Sequence, residues 1–173
     1  MSERKTKKGK TAVYPGTFDP ITNGHISLVE RACALFDNVI VAVVGNESKS
    51  PLFTQEERYH LVKTSLGNIK KVRVIKFHGL LANLVKDYKA CAIIRGLRAI
   101  SDFEYEFQMA LMNRKLVRDV ETVFLMPSLS WVYLSSTIVK DVAANKGDIK
   151  SLVPSPVAEA LRIKFSGAKG KKR

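Results

Sequence analysis

Thr11-Ala-Val-Tyr-Pro-Gly-Thr-Phe-Asp-Pro-Ile-Thr-Asn-Gly-His25 turns from strand chemistry to helix chemistry within fifteen residues. Thr11–Tyr14 is rich in β-branched and aromatic side chains, which suit a pleated strand. The loop after it holds two prolines and two glycines, so its backbone is fixed at defined points. Beyond His25, Ile26, Val29, Cys33 and Phe36 recur at three- and four-residue spacing, the stripe of a helix with one buried side. A strand, a short rigid loop and a helix make the first half of a βαβ unit.

The same alternation continues outward. Asn38–Val44, Lys71–Phe77, Cys91–Arg95 and Glu121–Met126 read as further short strands. Thr54-Gln-Glu-Glu57 and Ser101-Asp-Phe-Glu104 are capping boxes that open helices reaching to about Leu66 and Arg118. Gly79–Tyr88, Ser135–Asn145 and Pro156–Phe165 complete the helices. Five strands alternating with helices predict an α/β fold on a parallel sheet with helices on both faces. Right-handed crossovers then bring every strand-to-helix loop to one sheet edge, where such sheets bind ligands at the point of strand-order reversal. The candidate site is therefore drawn from 15–25, 45–53, 78–83, 95–101 and 127–137.

Composition narrows the class. A chain of 173 residues, 46% apolar and 26% charged, can bury a core without disulfides. No run approaches the ~20 apolar residues of a membrane span, and the basic start has no apolar segment of a secretory signal. A cytoplasmic location is expected. The net charge of +13 has four units in residues 1–10 and four in 167–173. Both ends are also short of apolar residues, so they read as basic flexible tails flanking one domain at 11–166. Cys33 and Cys91 have no metal-ligand spacing and are expected to be buried reduced thiols; the spacing of His25, His60 and His78 argues against structural zinc.

The unusual residues gather at the predicted edge. Gly24-His25 closes the first loop as the helix begins, where unpaired backbone N–H groups and an imidazole N–H would face an anion together. A lone helix-start histidine carries little meaning; one framed by a Pro/Gly-locked loop carries more. Arg95 and Arg98 bracket Gly96 with two planar forks suited to phosphate, or are a pair of surface arginines. Glu106 lies about 60° from Phe103 and about 40° from Ala110 around its helix, beside the apolar stripe, so it needs a partner. Ser135-Ser-Thr137 opens a helix, either as ordinary caps or as hydroxyls gripping phosphate. Lys49 on its own is an ordinary loop lysine. The chain contains neither a P-loop nor a G-x-G-x-x-G fingerprint.

Thr22-Asn-Gly-His25 resembles the T/H-x-G-H signature of the nucleotidylyltransferase superfamily, whose sheet is dinucleotide-binding-like, of Rossmann type. With the whole of Tyr14–His25 around it, the segment is similar to that of the bacterial phosphopantetheine adenylyltransferases. Ile94-Arg-Gly-Leu-Arg-Ala-Ile-Ser-Asp-Phe-Glu-Tyr-Glu106 and Met126-Pro-Ser-Leu-Ser-Trp-Val-Tyr-Leu-Ser-Ser-Thr-Ile-Val-Lys140 extend the resemblance, which spans Thr11 to Phe165. Leu134 stands where Ile is commoner, and Leu81 where some members carry Met; both keep similar volume. The basic tails lie outside it.

The resemblance implies adenylyl transfer from ATP to 4′-phosphopantetheine, giving dephospho-coenzyme A and pyrophosphate, the penultimate step of coenzyme A synthesis. It implies ATP contacts from Thr17, Phe18, His25, Gly96, Leu97, Arg98, Glu106 and Trp131 through Thr137: Trp131, Val132, Tyr133, Leu134, Ser135, Ser136 and Thr137. Glu106 would sit near the ribose, although an ion pair to an arginine is the competing reading. Trp131 reads as a packing residue more than a stacking platform. The acceptor side would comprise Thr17, Lys49, Leu80, Leu81, Asn83 and Arg95. His25 as transition-state stabiliser, with Thr17, Lys49 and Arg98, would carry catalysis. Mg²⁺ held mainly by substrate phosphates, a homohexamer, and feedback by coenzyme A, which shares the substrate's arm, are further implications.

The residues themselves suggest no nucleophilic side chain, and this chemistry needs none. A phosphate monoester with second pKa near ~6 is mostly a dianion at neutral pH and attacks unaided. What remains is alignment and charge neutralisation as pyrophosphate leaves. Two rivals are a related nucleotidyltransferase with another phosphate acceptor, and a nucleic-acid-binding module driven by the basic ends. The second predicts steep salt dependence and no ATP turnover. Neither nucleic acid nor membrane is an expected partner.

Overall fold

The computed structural model describes residues 9–45, 50–98 and 100–166, with the side chains of 100–102 left aside. Lys49 and most of the two basic tails lie outside the described residues. The elements run β1 (Thr11–Gly16), α1 (Asn23–Leu35), β2 (Asn38–Val44), α2 (Gln55–Leu66), β3 (Val72–Phe77), α3 (Leu81–Asp87), β4 (Ala92–Gly96), α4 (Ile100–Leu116), β5 (Glu121–Leu125), α5 (Ser136–Ala144) and α6 (Ser155–Ser166). A short 3-10 helix, Leu129–Trp131, precedes α5.

All five strands are parallel, in the order β3-β2-β1-β4-β5. The order in which strands are added reverses between β1 and β4, and the helices divide accordingly. Ala12, Tyr14, Val39, Val41, Val43 and Ile94 point to the face covered by α1, α2, α5 and α6. Val13, Ile40, Ala42 and Ile93 alternate to the other face, against Leu84 and Val85 of α3 and the turn around Val120. Both faces of the central strands are buried, so these strands read as nearly continuous apolar runs.

The β1–β4 contact is unlike the others. β1 pairs with β2 over six residues, Thr11 to Gly16, but with β4 only at Ala12↔Ala92 and Val13↔Ile93. Past Val13 the two strands part, and a cleft opens at their C-terminal ends. The extension of β1 through Pro15 and Gly16 is compatible with proline, because Pro15 has no β4 partner to donate to.

The strand expectations hold within two residues at each end. Thr54 and Glu57 form the expected box: the Thr54 amide donates to Glu57 Oε2 at 2.7 Å, and the Glu57 amide to Thr54 Oγ1 at 3.3 Å. Ser101, in contrast, lies inside α4, which begins at Ile100. Cys91 is exposed rather than buried. It stands just before β4 at the opposite sheet edge, its thiol donating to the Thr11 carbonyl at 3.4 Å.

Candidate active site

A cavity of about 480 Å³ fills the cleft between β1 and β4, walled by the β1–α1 loop, the end of β4, Glu106 of α4 and the start of α5. Thr17, Phe18, His25, Arg95, Gly96, Arg98, Glu106, Trp131, Leu134, Ser135, Ser136 and Thr137 all line it.

His25 is the third residue of α1. The Thr22 amide donates to His25 Nδ1 at 3.0 Å, and the Thr22 hydroxyl lies 2.9 Å from the same nitrogen. An Nδ1 that accepts from an amide carries no proton, so the neutral ring bears it on Nε2. Burial, helped by the positive charge of Arg98, pushes the imidazole pKa down to about 4. At neutral pH His25 is therefore an uncharged hydrogen-bond donor. Phe18 backs the ring edge-on at 5.2 Å between centroids and meets Tyr14 at 5.4 Å. It holds φ of 50°, unusual for a bulky residue, and its ring lies over Gly16, where a Cβ would come within 2.7 Å of it. Gly16 is thus required by close approach.

Arg95 leaves the end of β4 into the cavity and is bound on one side by Glu106. Arg95 Nε donates to Glu106 Oε2 at 2.6 Å, Nη2 donates to Oε1, and Nη1 donates to the Pro15 carbonyl at 3.2 Å. Of the two readings of Glu106, the structure places the ion pair. Burial alone would lower the Arg95 pKa, but Glu106 outweighs it and holds the guanidinium firmly charged. Three of its five N–H groups are engaged and two remain for a ligand.

Three other charged side chains, Asp19, Lys140 and Arg58, were not singled out from the sequence. Asp19 is buried; its carboxylate accepts from the Leu52 amide at 3.0 Å, the Phe53 amide at 2.9 Å and Lys140 Nζ at 2.7 Å. Burial pushes its carboxyl up, but Lys140 and the two amides prevail and hold it below the ordinary range. Arg58 of α2 is 1% exposed and donates to three backbone carbonyls. Its signal was present in the sequence: Arg58 precedes Val62 and Leu66 by four and eight residues, on the buried stripe. Asp19 lay inside the quoted loop and Lys140 at the end of the quoted segment, within α5, with no spacing to link them.

Asp19→Ala should destabilise the protein by about 2–3 kcal/mol, since it leaves two amides and a half-buried ammonium without an acceptor. Thermal unfolding near neutral pH should shift down by roughly 5–10 °C for a domain of this size. The Asp19 contribution is complete above the unfolded carboxyl value near ~3.9 and is lost as the pH falls through the lower folded value. A shift below ~2 °C would show that Asp19 does not anchor residues 52–53.

At α5, Ser135 Oγ accepts from the Ile138 amide at 3.1 Å and Ser136 Oγ donates to the Pro20 carbonyl at 2.8 Å. Thr137 remains exposed. The starts of α1 and α5 thus both line the cavity. Trp131 is half-buried and packed on the core, with its carbonyl 3.5 Å from where a Gly24 Cβ would lie. Leu97, Val132 and Tyr133 lie near the cavity without lining it, and Leu80, Leu81 and Asn83 sit after β3, two strands from β1. No group of three metal-binding side chains occurs among the described residues. Among them, no helix is long and apolar enough to cross a membrane.

Residues 13–142 match the family described as Cytidylyltransferase-like. The chain is 54% identical to the phosphopantetheine adenylyltransferase of Solidesulfovibrio magneticus, covering 95% of this chain and 96% of that one. It is 56% identical to the protein of the same name from Desulfotalea psychrophila, covering 88% and 91%. The crystal structure of a putative nicotinate-nucleotide adenylyltransferase from Vibrio parahaemolyticus superposes with a TM-score of 0.66 at 18% identity, covering 90% of this chain and 99% of that one, a likeness of fold.

Proposed function

The chain belongs to the phosphopantetheine adenylyltransferase family, within the cytidylyltransferase-like fold, and we infer that it transfers the adenylyl group of ATP to 4′-phosphopantetheine. The products are dephospho-coenzyme A and pyrophosphate. One observation carries the reading at the level of the site: a single cavity collects the groups that hold phosphate. Two helix starts, the uncharged donor His25, the cations Arg95, Arg98 and Lys140, and the residues Thr17 and Thr137 all line it. Both of its carboxylates, Asp19 and Glu106, are already bound to cations.

In this reading the acceptor's phosphate oxygen attacks the α-phosphorus of ATP in line, and pyrophosphate leaves with the electron pair of the broken bond. Arg95, with its two remaining N–H groups, holds the acceptor phosphate, joined by Lys49 from outside the described residues. Arg98 and the first turn of α5 hold the leaving phosphates. His25 donates to charge that develops during transfer, and no covalent enzyme intermediate forms. Leu80, Leu81 and Asn83 receive the distal pantetheine arm.

Mg²⁺ suits this donor set only as an ion carried on the nucleotide, since Asp19 and Glu106 have their oxygens engaged; when bound it supplies neutralisation of phosphate charge. Self-assembly into a homohexamer belongs to the same proposal. Phe103, Tyr105, Phe107, Met109, Leu111, Met112 and Leu116 of α4 are exposed, more clustered apolar surface than a monomer ordinarily presents, and further copies of the chain would cover it. Coenzyme A, sharing the acceptor's arm, competes at the site. The domain is 11–166, flanked by the two basic tails, and the setting is the cytoplasm, where ATP is supplied.

Pyrophosphate release from ATP tests the reading directly. Turnover is expected with 4′-phosphopantetheine and not with nicotinamide mononucleotide. Turnover with the mononucleotide, or none with either, would overturn it.

A further inference from the structure

Arg58 is the most buried charged side chain of the described residues and, among them, reaches no carboxylate within 4 Å. Its Nη1 donates to the carbonyls of Thr17 at 2.5 Å and Val44 at 2.8 Å, and its Nε to that of Phe53 at 3.1 Å. These carbonyls belong to three separate segments: the loop leaving β1, the last residue of β2, and the residue before the Thr54 cap of α2. Parallel strands that end at a sheet edge leave their last carbonyls without ladder partners. One planar guanidinium answers the last carbonyl of β2 together with two from the neighbouring loops at fixed angles, which an ammonium or an apolar side chain cannot do.

Burial penalises this charge and lowers its pKa; only Asp19, acting from a distance, opposes the effect. A buried charge with no counter-ion is costly, and here the three carbonyls it answers are what hold it in place. The guanidinium thereby fixes the relative positions of three segments as well as filling the core. The carbonyl it grips most closely is that of Thr17, a residue that lines the cavity.

We propose that Arg58 is a positioning residue for the transfer step, holding Thr17 against the ends of β2 and of the 51–53 segment so that its hydroxyl meets the substrates at a fixed place. The proposal rests on the adenylyl-transfer reading above. In-line transfer is sensitive to such placement, since a shift of about 1 Å can cost on the order of 10²-fold in rate.

Arg58→Met keeps the volume and removes the donors; Arg58→Lys keeps the charge and loses the planar fork. Each should lower kcat about 10- to 50-fold while the ATP Kd, by calorimetry, stays within about threefold. Thr17→Ala combined with Arg58→Met should be no slower than Thr17→Ala alone, within about twofold, because the group being positioned is already gone. A general loss of structure would multiply instead. Hydrogen exchange adds a readout that needs no substrate: Arg58→Met should lose protection at the Leu52 and Phe53 amides and keep it in α6. If the exchange result holds while the unaltered protein shows no turnover, the positioning stands and the assigned reaction falls. Multiplicative losses, or kcat within threefold of the parent, would overturn the proposal, as would failure of both single variants to fold.

Discussion

His25→Ala should lower kcat and kcat/KM together by about 10²–10³, with ATP binding nearly unchanged, the cost typical of one donor aimed at developing charge. The amide of Thr22 fixes the ring by donating to Nδ1, so the proton available to a ligand sits on Nε2. ATP keeps Arg98 and the start of α5 in the variant, which is why its affinity should hold. With a pKa of about 4 the ring is neutral at working pH, and the acceptor phosphate needs no base. His25→Asn and His25→Lys retain a donor and should keep more activity than His25→Ala. Proton NMR of the imidazole should give a midpoint near 4. Stability should rise with pH from about 4 to ~6.5, because the unfolded chain binds that proton while the folded one does not; His25→Ala should flatten this segment. A midpoint near ~6.5, or equal inactivity of all three folded variants, would exclude the neutral-donor role.

Arg95→Ala should weaken the acceptor more than ATP, by at least the about 10- to 150-fold that corresponds to roughly 1.5–3 kcal/mol for a charged hydrogen bond. The structure adds a second penalty. Glu106 is only 13% exposed and spends both oxygens on Arg95, so the truncation uncovers a negative charge in a site for a dianion. Arg95→Ala/Glu106→Gln should therefore recover part of the lost affinity. Competition measurements with 4′-phosphopantetheine and ATP separate the two ligands. A double variant no better than Arg95→Ala would mean that Glu106 does not act through its charge, and an ATP-only defect would reverse the assignment of Arg95.

Periodicity and turn chemistry made the alternation of strands and helices legible, down to the Thr54–Glu57 box and the cap at Ser135. The cavity was legible because parallel topology sends every strand end to one edge, which brings Thr17, His25, Arg95, Arg98 and Ser135 together. What escaped were partnerships across the chain. Asp19 and Lys140 are 121 residues apart, and Arg58 binds carbonyls 5, 14 and 41 residues away; no local pattern encodes them. Glu106 was found to need a partner because one helix face revealed it, while the choice of Arg95 required the fold. Ser101 misled as a cap because its box motif recurs one residue inside a helix as readily as at its start. Cys91 misled because an apolar run says where a strand lies, and its first residue can still face solvent.

The unequal pairing along the sheet has a mechanical side. Six register pairs join β1 to β2, six join β2 to β3 and five join β4 to β5, against two between β1 and β4. The sheet is thus two plates on a narrow joint. Thr17 and His25 ride on one plate, Arg95 and Arg98 on the other. Arg95 to Pro15 is a first brace across the gap, and Asp19 to Lys140 and Ser136 to Pro20 tie the far end. A molecule gripped from both sides supplies the rungs that the strands leave out, so an occupied cleft stiffens the joint on which its own two walls are mounted.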